Sequence, residues 1–207
     1  MRPMPALSRR HLAALAVLPA GCAIAQAPGT TPRQAAGPFY PIDWSGDADA
    51  DLVRVAGAAA QAQGQVTHLR GRLLAADGST LAGARIEIWQ CDALGVYRHP
   101  RDREARRDPG FQGRGRMLVG SDGRYAFRTI LPVPYPGRTP HIHVLVSAPD
   151  RQELVTQLYL DGEAGNGRDG IFRRLDAAAR EAVLLRPVPA DRVEPGALLA
   201  ERDIVLG

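Results

Sequence analysis

From Val66 to its end the chain sustains no long helical period, while short apolar–polar alternations recur between turn residues. "VTHLRGRLLAADGSTLAGARIEIWQ" reads as a strand, an Asp-Gly turn and a second strand. In the second, Ala84, Ile86 and Ile88 alternate with Arg85, Glu87 and Trp89. A long loop, 91–115, follows, and "RMLVGSDGRYAFRTI" predicts another strand pair around Asp122-Gly123. Further strands are expected from about His141 to Ser147 and over "ELVTQLYL" at 153–160. After a Gly-rich loop at 162–170, "IFRRLDAAAREAV" is a short helix or helical turn, and "AVLLRPV" and "RDIVL" are closing strands. This pattern predicts an all-β chain: an antiparallel β-sandwich core with long site-bearing loops and little helix. An α/β fold is excluded because no helices lie between the strands.

The first segment has a different character. "SRRHLAALAVLPAGCAIAQA" pairs Arg9 and Arg10 with a short apolar run, then small residues. That order is the layout of an export signal, and the twin arginine after Ser8 points to the pathway that exports folded proteins. Residues 1–27 are therefore read as a twin-arginine-type signal peptide, cleaved after Ala25 or Ala27, with the mature protein periplasmic or extracellular. "PAGC" offers a lesser alternative, a lipoprotein anchored through Cys22. Residues 28–64, rich in Ala, Gly, Pro and Asp, are read as an extended arm, and 65–207 as the sandwich domain. No stretch has the length of a transmembrane helix.

Charge becomes informative once the signal is set aside. The whole chain carries 26 basic and 22 acidic residues, a net +4. Residues 1–27 hold Arg2, Arg9 and Arg10 and no acid, leaving 23 against 22, so no nucleic-acid footprint remains. The arginines of 101–116 are interrupted by Asp102, Glu104 and Asp108 and read as a solvated loop. Of the two cysteines only Cys91 lies beyond the signal, which rules out an internal disulfide framework; it reads as a packed residue.

The chemistry gathers in "PYPGRTPHIHVLVS", residues 134–147. Side chains two apart on a strand share a face, so His141 and His143 project together while Ile142 enters the other side. Alone, that pair suits either a metal or two hydrogen-bonded histidines. Tyr135 and Arg138 sit just upstream in a Pro/Gly-shaped turn, and Tyr97 lies in a loop directly after a strand. Two imidazoles and two phenolates suit a hard ion such as Fe(III); zinc prefers His, Cys and carboxylate.

"GPFYP", "IEIWQCDALGVYRH", "DPGFQGRGR", "SDGRYAFRTILPVPYP", "RTPHIHV" and "TQLYL", in that order, resemble the motifs of intradiol ring-cleavage dioxygenases over roughly residues 37–175, about two-thirds of the chain. The resemblance implies a non-haem Fe(III) cofactor held by Tyr97, Tyr135, His141 and His143. It also implies a small aromatic diol and O2 as substrates and a muconate-type dicarboxylic acid as product. By the same resemblance Tyr135 is the ligand displaced by substrate and a base, Arg138 stabilises charge on the ring, and Gln157 orients Arg138 or the substrate. Tyr40 and Tyr159 are expected to line the substrate pocket, and Tyr125 to pack in its strand. The segment between Tyr135 and His141, "PGRTP", is shorter than in many relatives, which implies a more open pocket or a change in which ring substituents fit. The chain lacks room for the helical N-terminal dimerisation region of catechol-type relatives, so it more resembles the protocatechuate-type core or short exported members. A homo-oligomer is compatible with the resemblance. Two other classes fit parts of the sequence: an exported β-sandwich binding or carrier module with a degenerate metal site, and a zinc hydrolase built on the histidine pair.

Overall fold

The computed structural model describes residues 29–103 and 106–207. The signal layout, Cys22 and Glu104 lie outside the described residues.

Ten strands form two five-stranded sheets among the described residues. In the first, β1 (Val66–Ala75) is central, with β4 (Arg124–Ile130) antiparallel along one edge. The other edge is shared end to end by β9 (Leu198–Glu201) and β10 (Ile204–Leu206), both parallel to β1, and β8 (Val188–Pro189) flanks β9. The link between β9 and β10 presses on Gly71, where a Cβ would lie 1.8 Å from the Arg202 carbonyl oxygen; only glycine fits there. The second sheet runs β3 (Arg114–Leu118), β2 (Arg85–Trp89), β5 (His141–Ser147), β6 (Leu154–Leu160) and β7 (Leu184–Leu185). Its pairings are antiparallel except for β7 on β6. The long pairings are thus those of an antiparallel sandwich, and the parallel ones are confined to short C-terminal strands.

Neither Asp-Gly turn closes a hairpin within one sheet, contrary to expectation for 122–123. β1 and β2 lie in different sheets, as do β3 and β4. The turn at Asp77-Gly78 folds Thr80 back onto Leu74, after which the chain crosses to the second sheet. Crossing lets each strand turn its apolar face to the other sheet rather than share one layer. Leu69, Phe127, Ile86, Ile88, Ile142, Val144 and Leu158 meet in that interior and are almost fully buried. Each contributes about 1.5–3 kcal/mol by leaving water.

The polar half of β2's alternation is not solvent-facing. Glu87 and Trp89 are as buried as Ile86 and Ile88, because residues 34–48, without helix or strand, run over the outer face of the second sheet. Gln34 N–H donates to the Val155 carbonyl (2.8 Å), and Tyr40 packs edge-on against Trp89 (5.0 Å). Further along, Leu52 and Val53 enter the core while Leu52 N–H bonds the Arg128 carbonyl (2.8 Å).

Helix is scarce: a 3-10 turn at Phe172–Arg174 and α1 (Ala177–Val183). The Asp176 side chain caps α1 by accepting from Ala179 N–H at 2.8 Å. No described helix is long and apolar enough to cross a membrane.

Candidate metal centre

Strand register assembles the site. His143 stands opposite Trp89 on one side and Gln157 on the other, and His141 opposite Tyr159. Trp89 is in turn opposite Arg114. A row of Arg114, Trp89, His143 and Gln157 therefore crosses four strands on the face away from the sandwich core, beneath the arm. Trp89 stacks flat on the His143 ring, centroids 4.7 Å apart and planes 4° apart.

The two tyrosines arrive from loops held by their own hydrogen bonds. After β2, Asp92 accepts from Leu94 N–H (2.9 Å) and Val96 N–H (3.0 Å), and Asp102 accepts from Tyr97 N–H (2.8 Å). Asp108 is also buried and accepts from Gln63 N–H at 2.6 Å. Asp102 and Asp108 are thus built into the loop and Arg114 is buried, while Arg101, Arg103, Arg106 and Arg116 are exposed, as the solvated reading expects. Tyr135 and Arg138 close a tight turn through Arg138 N–H and the Tyr135 carbonyl (2.9 Å), with Gly137 at φ 83° supplying the left-handed step.

Tyr97, Tyr135, His141 and His143 converge. His141 Nε2 lies 3.2 Å from His143 Nε2 and 3.4 Å from the Tyr97 hydroxyl. The Tyr97 and Tyr135 rings meet edge-on at 5.4 Å. His141 Nδ1 lies 2.6 Å from the Thr139 carbonyl, which can only accept, so Nδ1 carries the proton and Nε2 keeps its lone pair. His143 Nδ1 is buried without a partner. Burial, then the nearby Arg138 charge, pushes the His141 pKa down to about 4; burial and then His141 hold His143 well below the usual histidine range. Both rings are neutral, as metal ligands must be.

These groups fit a cation. Two imidazole nitrogens 3.2 Å apart, with a phenol oxygen beside them, gather three possible donors around one point that a single positive ion would engage at once. Among the described residues no group of three or more His, Cys, Asp or Glu is arranged to hold a metal, and the side-chain oxygens beside the histidine pair are the phenols of Tyr97 and Tyr135. That donor set favours ferric iron over zinc. Tyr97 is buried, and burial raises its pKa well above 10, so only a strong cation would hold it as phenolate.

The remaining predicted residues separate into two groups. Arg138 and Gln157 stand together: Arg138 Nη2 donates to Gln157 Oε1 (2.5 Å), and Nη1 reaches the Tyr135 hydroxyl at 3.5 Å. Gln157 Nε2 donates to the Ala35 carbonyl (2.7 Å). Tyr159 is fully buried, and its hydroxyl is shared between Gln34 Oε1 (2.7 Å) and Gln157 Oε1 (3.0 Å), a bracing position rather than an open wall. Tyr40 points elsewhere: its hydroxyl donates to Glu87 (2.8 Å) and its ring meets Trp44 and Trp89. Its neighbour Phe39 is the ring that stacks on Tyr97 (4.7 Å) and meets Tyr135 edge-on (6.2 Å). Tyr125 packs in the core and donates to the Arg202 carbonyl (2.6 Å). Cys91 is buried, and burial raises its thiol to about 12, which leaves it inert.

Sequence reasoning missed Gln34, Phe39 and Asp169. Asp169, wholly buried, receives Arg138 Nε at 2.8 Å. Its local signal was present: an Asp two and three residues before Ile171 and Phe172, whose N–H groups it accepts. Its partner thirty-one residues away had none.

Comparisons with known proteins identify the family. The sequence model of the Dioxygenase_C family, described as Dioxygenase, matches residues 35–188. The chain is 36% identical over 179 residues to the protocatechuate 3,4-dioxygenase beta chain of Burkholderia cepacia, covering 82% of this chain and 76% of that protein. It is 33% identical over 162 residues to hydroxyquinol 1,2-dioxygenase of Nocardioides simplex, covering 69% of this chain but 51% of the relative. Its fold resembles the dioxygenase domain of a dioxygenase carbohydrate-binding protein fusion from Streptomyces sp. SirexAA-E (TM-score 0.67, 32% identity, 86% of this chain and 98% of that one). The motifs and the family match lead to one conclusion: the chain belongs to the intradiol ring-cleavage dioxygenases.

Proposed function

We propose that this protein is a non-haem Fe(III) dioxygenase that opens a catechol-type aromatic diol between its two hydroxyls. Both atoms of O2 enter the product, a muconate-type dicarboxylic acid. The observation that carries this reading is the convergence of two neutral imidazoles and a buried phenol within 3.4 Å, with no carboxylate among them. Tyr97, Tyr135, His141 and His143 would hold the iron, which when bound supplies the Lewis acidity that keeps the phenols and the diol ionised.

The chain's own groups divide the remaining work. Tyr97, sealed under Phe39, is the ligand that stays. Tyr135 is only half-buried; burial raises its pKa, and the adjacent Arg138 offsets part of that rise. As the phenolate that a bound metal would hold, it would be the group to give way to substrate and accept a diol proton at its phenolate oxygen. The Arg138 guanidinium beside it stabilises negative charge on the bound ring. Gln157 holds that guanidinium by one nitrogen, and Tyr159 and Gln34 brace Gln157. Phe39 excludes water from the Tyr97 side.

The test is oxygen uptake on a panel of catechol, protocatechuate, hydroxyquinol and larger lignin-type diols, with product analysis and a visible spectrum. A reddish protein that yields the intradiol dicarboxylate is expected. Ring opening beside the diol rejects the mechanism. A folded, colourless chain that cannot be reconstituted with iron leaves a binding module instead. Residues 1–27 are proposed to direct export, tested by fractionating cells that produce the full chain; retention in the cytoplasm refutes it.

A further inference from the structure

We propose that Asp169 is a positioning residue that aims the Arg138 guanidinium at the reacting ring, an inference that rests on the ring-cleavage reading above. Arg138 is anchored at two different nitrogens: Nε donates to Asp169 Oδ2 at 2.8 Å and Nη2 to Gln157 Oε1 at 2.5 Å. Because the guanidinium is planar, two anchors fix its plane and leave Nη1 as the edge that faces Tyr135. Gln157 alone would leave the plane free to swing.

Asp169 is itself immobilised. Its other oxygen, Oδ1, accepts from Ile171 N–H (2.9 Å) and Phe172 N–H (3.0 Å). Oδ2 also accepts from Thr139 N–H at 3.1 Å. Thr139 is the residue whose carbonyl sets the His141 tautomer, and its hydroxyl bonds Asn166 Oδ1 at 2.9 Å. One buried carboxylate thus ties the charge-stabilising arginine and the histidine's backbone support to the same loop. Burial works against the ionised carboxyl, but the Phe172 N–H and the Arg138 guanidinium hold it below the usual range.

The test is a double-mutant cycle in the iron-loaded full chain, with kcat and KM measured separately on whichever diol of the panel is turned over. Asp169→Asn is expected to lower kcat about 10- to 100-fold, the size of a lost charge-assisted hydrogen bond, while the visible band stays near wild type; the melting temperature falls as well, because an amide NH2 cannot accept from the N–H groups that the carboxylate holds. In an Arg138→Ala background the same change is expected to alter kcat less than about twofold. Additive losses, or an unchanged kcat, overturn the proposal. Should Asp169→Asn fail to fold, the cycle is run with Asp169→Glu under the same criterion. A second readout needs no turnover: the Arg138 Nε–H resonance in the metal-free chain, identified by its loss in Arg138→Ala. It is expected downfield and slow to exchange, and shifted upfield and fast to exchange in Asp169→Asn. An unmoved resonance overturns the positioning role even if the chain cleaves no catechol, so the two failures remain distinguishable.

Discussion

The indole of Trp89 lies flat on the imidazole of His143, centroids 4.7 Å apart and planes within 4°. Both side chains are about 1% exposed, so the indole is the wall that keeps one of the two convergent histidines in place. Trp89→Leu is expected to cost about 3 kcal/mol of stability, from lost burial and the cavity left behind. It should also reduce the iron retained after dialysis, because the His143 ring gains freedom. Denaturant unfolding and metal analysis read the two effects separately.

The tyrosines should respond unequally. Tyr97→Phe is expected to abolish turnover and most of the visible band, with a melting temperature lowered only slightly, since its hydroxyl loses a long 3.4 Å contact to His141 and a hydrogen bond to Tyr135. Tyr135→Phe should keep a shifted band, with kcat reduced more than iron content. Equal spectra for the two variants would contradict the division between a permanent and an exchangeable ligand.

Gly71→Ala tests the crossing of β9 into β10. The new Cβ would sit 1.8 Å from a backbone carbonyl oxygen rather than a yielding side chain. A loss of about 3 kcal/mol is expected, measured as a lower denaturant midpoint. Gly78→Ala, at a turn open to solvent where φ is 85°, should cost about 1 kcal/mol.

Acid should weaken the first sheet by a defined route. Arg128 donates to both oxygens of Glu194 (2.8 and 2.6 Å) and to Asp51 (3.0 Å). Hydrogen bonding to Arg128 lowers the Glu194 carboxyl to about 2 from an ordinary 4.5, although partial burial opposes it. A depressed carboxyl stabilises the fold fully above its unfolded value, and that stability is lost as pH falls from about 4.5 toward 2. Glu194→Gln should therefore flatten the decline of melting temperature across that window. It should cost about 1 kcal/mol at neutral pH, a figure kept small because the pair is partly solvated.

What the sequence determined on its own was what depends on neighbours along the chain. Period-two alternation put His141 and His143 on one face, and the Pro/Gly turn kept Tyr135 within reach of Arg138, a contact three residues long. Repeated short strands implied the sandwich. Only the tertiary structure decided which strands share a sheet, since each Asp-Gly turn is locally compatible with a hairpin or a crossing. It also decided that the arm covers the site, bringing Phe39 onto Tyr97 and Gln34 under Tyr159 while turning Tyr40 toward Glu87. Asp169 meets Arg138 for the same reason. The contact exists because the loop after β6 packs against the turn before β5, and no periodicity within either segment encodes that approach.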